Sequence, residues 1–572
     1  MTLVLPTRLT TPGAEPGGGS WTMTKGVITF VSGQGGSNQC HIRCPFPDVD
    51  LSTSSPASNL RSLKINFGTA TGSYDILSGK DLFDESSPHA IELLVTELNA
   101  GTHFWQAAYV STEGTAGSYC AEQSLSSEAA WSAPGSPVSI AAVDAPFTMS
   151  ASTDYQLSEN LSETGTAIIF ATGCTLDLNG KTVAGGTTGS VPTIDFPTSG
   201  ANMRLFDSAG TKPRITSTGS GCDVLSKSGT LGTGNIVQGA ELECTGLTSD
   251  LFNLNETRIF DCTLKPTGGA APTDQSLTVT GLRNPQNVLC HGCTFPMATD
   301  DGRTYWASLE GALSGYFELW ECTGTVNYKT DNTTRNGGAV AFRGHSGIRS
   351  YVHDVDITQV TENQCRHFFF DGNGTNTRLL GITADLTDSI NLSTHTVFQI
   401  RDDSAPGGIA KNVHVGYATI EMGGVTAGQA ALYISSDNSW SAALVNDLTV
   451  DNIAHQYGGM RVQGNATNAT LYRATWNKEA GYTGRVGGYG TGPNVATTID
   501  INEVTITGGG AEHWKGAGSS LTSHQYNINN GWVAGESSDN SRETYFVDTP
   551  QGYDMTGTPA TPTSMASVSG VL

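Results

Sequence analysis

Short apolar–polar–apolar triplets recur along the chain from about residue 260. Cys262-Thr263-Leu264, Cys293-Thr294-Phe295 and Cys322-Thr323-Gly324 come first. Val355-Asp356-Ile357, Ala384-Asp385-Leu386 and Ala418-Thr419-Ile420 follow, then Leu448-Thr449-Val450, Ala474-Thr475-Trp476 and Val504-Thr505-Ile506. The steps are 31, 29, 33, 29, 34, 30, 26 and 30 residues. Alternate side chains of a strand face opposite ways, so the outer positions of each triplet predict two inward columns. The middle position is Thr in seven units and Asp in two, which predicts a solvent-facing column. A second register precedes the first in each unit: Phe342, Phe370, Ile400, Ile434 and Val462, at steps of 28, 30, 34 and 28. Both registers drift together, as stacked coils require. Helical periodicity is nearly absent between residues 150 and 535. A period near 30 with several short strands per turn predicts a β-solenoid, with about 4.8 Å between coils. The variable unit length assigns the insertions to the turns.

The flanking regions read differently. Residues 1–20 are rich in Pro, Thr and Gly and read as an arm or linker. Residues 21–135 alternate short β-type runs with turn residues and predict a β-sandwich. Within them, Leu98-Asn99-Ala100-Gly101-Thr102-His103-Phe104 resembles the corner of a fibronectin type III domain, with Phe104 where that family usually has Tyr. Residues 536–572 are polar and Pro/Thr/Ser-rich and read as a tail.

Charge and composition narrow the function. Of 572 residues, 29 are Lys or Arg and 53 are Asp or Glu, a net charge of −24. Such a chain repels phosphate backbones, which argues against a nucleic-acid partner. No run approaches the length of a transmembrane helix, so no membrane partner is expected. The N-terminus lacks the basic and apolar regions of a secretory signal, which favours assembly in a reducing cytoplasm. The eleven cysteines fit that setting as buried thiols packing like small hydrophobes, with Cys174 and Cys244 joining the column of Cys262, Cys293 and Cys322.

Gly173-Cys174-Thr175-Leu176-Asp177-Leu178-Asn179-Gly180-Lys181-Thr182-Val183 resembles the opening coils of right-handed parallel β-helices of the pectate-lyase type. The resemblance implies an all-β chain whose residues 150–535 form such a helix behind the sandwich. Proteins with this fold include polysaccharide lyases, hydrolases, epimerases and phage tailspikes, and some carry no catalytic site.

One stretch of the wall gathers candidate chemistry. Arg343, Asp371, Arg401, Ser435 and Gln463 each follow a member of the second register. His345, Asn373, Asp402, Asp403 and Asp437 lie slightly further along, with Tyr433 and Trp440 nearby. Paired carboxylates suit glycoside hydrolysis, and a base beside a cation suits elimination next to a uronic carboxylate. Asp371, Asp402, Asp403 and Arg401 are therefore the catalytic candidates. Arg343, His345, Asn373, Tyr433, Asp437 and Trp440 are the binding candidates. The same alternation of charge is also what a cross-strand ion-pair ladder looks like. Asp300-Asp301-Gly302, with Glu310, Glu318 and Glu321, offers a Ca²⁺ alternative, but no metal or other cofactor is expected. His367, with Glu362 and Arg366, reads as a half-buried structural histidine or a base. The expected function is a tailspike-like virion protein, made in a host cytoplasm and trimeric. It would bind a host surface polysaccharide, with or without depolymerising it, and attach to other tail proteins. The alternative is a secreted bacterial polysaccharide lyase or glycoside hydrolase.

Overall fold

The computed structural model describes residues 28–34, 37–43, 60–81, 92–95, 101–111, 119–127, 134–246, 249–266, 278–296, 303–328, 338–361, 366–371, 375–387, 396–402, 411–422, 431–446, 448–453, 460–472, 474–478, 496–502, 505–507, 523–529 and 551–554. The chain divides into two compact units, Met1–Ala133 and Pro134–Leu572. Among the described residues the first unit holds a three-stranded and a four-stranded antiparallel sheet. In the larger one Leu60–Gly68 runs against Gly101–Ser111, with Ile65, Phe67, Trp105 and Ala107 buried.

The second unit is an all-β parallel solenoid with three strand faces per coil. Face A includes Thr175–Asp177, Arg204–Phe206, Asn235–Gln238, Thr257–Phe260 and Val288–His291. Face B includes Val183–Gly185, Arg214–Ser217, Glu241–Cys244, Thr263–Pro266 and Thr294–Pro296. Face C includes Ile194–Phe196, Leu225–Lys227, Asp250–Asn253 and Thr278–Arg283. Further along, Arg303–Trp320 and Gly338–Thr361 run through the corners without a break. Each strand hydrogen-bonds its equivalents in the coils above and below, so the backbone is satisfied along the axis.

The triplet register lies on face B. Thr263 pairs with Thr294, Thr294 with Thr323 and Thr323 with Asp356, and Thr419, Thr449, Thr475 and Thr505 continue the column. The flanking Cys262, Leu264, Cys293, Phe295, Val355 and Ile357 are buried, and Thr323, Asp356 and Thr419 are exposed. One triplet slips. Asp356 and Thr419 both pair with Thr383, so the unit is Ile382-Thr383-Ala384, two residues earlier than the sequence periodicity suggests. A two-residue slip keeps every side chain on its face, so the hydrophobic pattern alone cannot detect it. The corner decides the register: Gly381 takes a φ of +63° immediately before this triplet.

That corner repeats between faces A and B. Asp261, Gly292, Glu321, Asp354 and Tyr417 each hold positive φ one residue before a triplet. The cysteines belong to the same device. Cys262, Cys293 and Cys322 each donate an Sγ hydrogen bond to the carbonyl two residues back, at 3.3, 3.5 and 3.4 Å. They are buried free thiols, as are Cys174, Cys222, Cys244 and Cys290.

The second register lies on face C. Phe342, Phe370, Ile400, Ile434 and Val462 stack in sequence. Val462 pairs with Ile434. One residue before this register, part of the column is enclosed. Ala341 and Gln399 are buried, and Ala339 through Phe342 are all fully buried. A strand enclosed on both sides reads as a continuous apolar run, and Ala339-Val340-Ala341-Phe342 is one.

Candidate active site on face C

Asp250 opens the strand Asp250–Asn253, and Asp223 stands two residues before Leu225–Lys227. Leu225 pairs with Phe252, so the two aspartates face each other across one coil step, about 4.8 Å. The Asp250 backbone N–H donates to Asp223 Oδ1 at 3.1 Å, and Asn253 Nδ2 donates to Asp223 Oδ2 at 3.4 Å. On the other side, Arg283 Nη1 donates to Asp250 Oδ2 at 3.2 Å. The Asp250 side chain is 3% exposed and that of Arg283 is 50% exposed, so the guanidinium links a buried carboxyl to solvent. Asp250 Oδ1 has no hydrogen-bond partner.

Burial and the adjacent charge of Asp223 push the Asp250 carboxyl up to about 7, against the opposing pull of Arg283. Burial also raises Asp223, which the Asp250 N–H, Ser226 and Asn253 partly offset. Asp195, on the coil before, is raised by burial as well, and Ser228 Oγ lies 3.0 and 2.8 Å from its two oxygens. Two acids and one cation in a poorly solvated site hold one proton near neutral pH. Such a pair can give a proton to a leaving oxygen through one carboxyl and act as base or nucleophile through the other.

The candidates from the sequence lie a few coils further along. Glu310 pairs with Arg343, Arg343 with Asp371, Asp371 with Arg401, and Arg401 with Ser435. Their backbones form one column with alternating charge, and Arg283 feels the charge of Glu310, where the two groups of residues meet. Asp402 pairs with Ser436, one position beyond that column. His345 lies in Gly338–Thr361, and half-buried Tyr433 pairs with Gln399 and Arg461. Asp437 and Trp440 lie in Leu432–Asn446, Trp440 beyond the register shift that carries this strand from face C toward face A. Asn373 and Asp403 fall outside the described residues.

The acidic group considered for Ca²⁺ is dispersed. Glu310 is on face C, and Glu318 is buried on face A with its Oε1 2.9 Å from His353 Nε2. Glu321 is an exposed corner residue 3.0 Å from His291 Nε2. Asp300 and Asp301 lie outside the described residues, and among those described no three His, Cys, Asp or Glu side chains are arranged to hold a metal ion. His367 is fully buried rather than half-buried, and burial lowers its pKa to about 3.

Asp223 and Asp250 escaped the sequence reading. A signal was available: Asp223-x-x-Ser226 and Asp250-x-x-Asn253 repeat one coil apart, with the polar residue on the following coil being Arg283.

No protein-family model matches the chain, and no curated protein matches it. Among solved structures it is similar to a family 28 exopolygalacturonase of Yersinia enterocolitica, at 10% identity over 89% of this chain and 98% of that chain, with a TM-score of 0.43.

Proposed function

We propose that the solenoid binds a polysaccharide along face C and cleaves it with Asp250 and Asp223. The observation that carries this reading is the Asp250 carboxyl, held near neutral pKa one coil from a second carboxylate and touched by a half-exposed arginine. In hydrolysis, Asp250 gives its proton to the glycosidic oxygen as the C–O bond breaks. The Asp223 carboxylate takes the anomeric carbon as a glycosyl ester, and water then displaces it, giving its proton back to Asp250 and freeing the Asp223 carboxylate. A separation of one coil, about 4.8 Å, lies near the spacing of retaining enzymes, in which the second carboxylate first forms a glycosyl ester. The column of Arg343, Asp371 and Arg401, with Asp402 one position beyond it, extends the same wall and supplies further glycan contacts.

The finer reading is a phage tail appendage. Here the first unit is a fibronectin-III-like module attaching to other tail proteins, and the solenoid assembles as a homotrimer. Free core thiols and the strongly acidic charge support this reading over a secreted lyase or hydrolase. Purified chain that blocks adsorption of a phage encoding it would bear the reading out, and an export signal in the natural gene would remove it.

The test of activity is direct. The chain is incubated with a polysaccharide panel while reducing ends and the absorbance of new double bonds are followed. Asp250→Asn and Asp223→Asn should each lower the rate about 100-fold or more without loss of folding. Activity unchanged in both variants, or no cleavage of any glycan by the wild type, would remove the catalytic assignment.

A further inference from the structure

Two columns run side by side where face C begins. Asp223, Asp250 and Thr280 form the first, with Thr280 the register partner of Asp250. Three residues further along each strand come Ser226, Asn253 and Arg283, with Ser226 paired to Asn253. Each carboxyl is held by the second-column side chain of the next coil. Asn253 Nδ2 donates to Asp223 Oδ2 at 3.4 Å, and Arg283 Nη1 donates to Asp250 Oδ2 at 3.2 Å. The remaining oxygens differ. Asp223 Oδ1 accepts the Asp250 backbone N–H at 3.1 Å, whereas Asp250 Oδ1 is buried without a donor. A donor on each oxygen favours the carboxylate, and an enclosed oxygen without one favours the acid. A single proton on the pair therefore goes to Asp250, even though the cation Arg283 pulls the other way.

The donors to Asp223 are not equivalent. The Asp250 N–H belongs to the backbone and is fixed by the strand. Ser226 is a hydroxyl, which can donate to a carboxylate or accept from an acid with the same oxygen. The Asn253 nitrogen can only donate, so it discriminates between the two forms of Asp223. The other charged groups around Asp223 are Asp195 on the preceding coil, Lys227 on its own strand and Arg283 two coils on. Among the described residues none of these donates a hydrogen bond to it.

We propose that Asn253 is the positioning residue that keeps the proton off Asp223 and so gives the two acids their separate roles. This rests on Asp250 and Asp223 being the cleaving pair. The form with the proton on Asp223 has the same net charge but is idle. Its Asp250 has no proton for the glycosidic oxygen, and its Asp223 is no longer a carboxylate nucleophile. Asn253 selects between these two forms without touching the leaving oxygen.

The experiment follows both carboxyl carbons by NMR in the full-length chain with labelled aspartate, assigned by Asp223→Asn and Asp250→Asn. In the wild type the step near pH 7 should belong to Asp250. Asn253→Leu keeps the bulk of the side chain and removes the donor, and Asn253→Ala removes the donor without adding branches. Loss of a hydrogen bond to a charged group should move the proton's distribution about tenfold toward Asp223. The step near 7 should then be divided between the two resonances. Arg283→Met should act in the opposite sense, leaving the step on Asp250 and moving it upward. A merely structural role for Asn253 would not redistribute the proton. A step that stays wholly on Asp250 in both Asn253 variants would overturn the assignment and leave the pair standing. A wild-type chain in which neither carboxyl titrates near 7 would remove the pair and the assignment with it.

Discussion

Asp250 and His367 are both buried, yet their titrations act on stability with opposite signs. Asp250 titrates near 7 in the folded chain and near 4 when unfolded, so between those values the native state binds more protons. Stability is therefore lost as pH rises from about 4 to about 7. Asp250→Asn should remove that loss, stabilising the protein by about 2 to 4 kcal/mol at pH 8 relative to its effect at pH 4. Urea unfolding at both pH values checks this, and an equal effect at the two would contradict it. His367 titrates near 3 folded and near 6.5 unfolded, so the unfolded state takes up the proton first as pH falls. About 2 to 3 kcal/mol should be lost between pH 6.5 and pH 4.5. His367→Gln should flatten that slope, whatever its effect on stability at neutral pH. Neither shift was legible in the sequence. Both depend on how much water reaches the group, and a residue's neighbours in sequence do not determine that.

The strands were legible and the corners were not. Two columns of alternating residues located faces B and C, because a repeated apolar position must meet the same core in every coil. Face A escaped notice. Its outer positions include Phe260, Trp320 and Arg378, so it lacks a clean alternation. The corners between faces A and B need one residue of positive φ, and residues as different as Gly292, Glu321 and Tyr417 fill that place. No single residue type marks it, and the slip at Ile382-Thr383-Ala384 follows from that. Gly381 and Gly292 give the element-scale test. A Cβ at Gly292 meets no atom within 4 Å, whereas one at Gly381 comes within 2.7 Å of Asp354 Oδ1. Gly292→Ala should cost about 1 kcal/mol, the backbone strain alone. Gly381→Ala should cost more, because Asp354, 3.4 Å from His353 Nδ1, must also move. Thermal unfolding that ranks the two variants in the reverse order would contradict the corner assignment.

At the scale of the molecule, stacking turns a sequence step of 27 to 33 residues into a vertical contact, as from Asp223 to Asp250 and from Asp250 to Arg283. Single residues from separate coils thus meet without any local motif. The candidate column of Arg343, Asp371 and Arg401 was found from its period, whereas Asp223 and Asp250 lie before the repeat becomes regular. The wall carries both groups within a chain of net charge −24, so cations on face C stand out against an acidic background. The most direct test of the central claim is the carboxyl carbon resonance of Asp250, followed by NMR in the full chain with labelled aspartate and assigned by its loss in Asp250→Asn. A carboxyl titrating near 7, and moving down when Asp223 is replaced by Asn, is the expected result. An Asp250 resonance that titrates near 4 and ignores Asp223 would contradict the account.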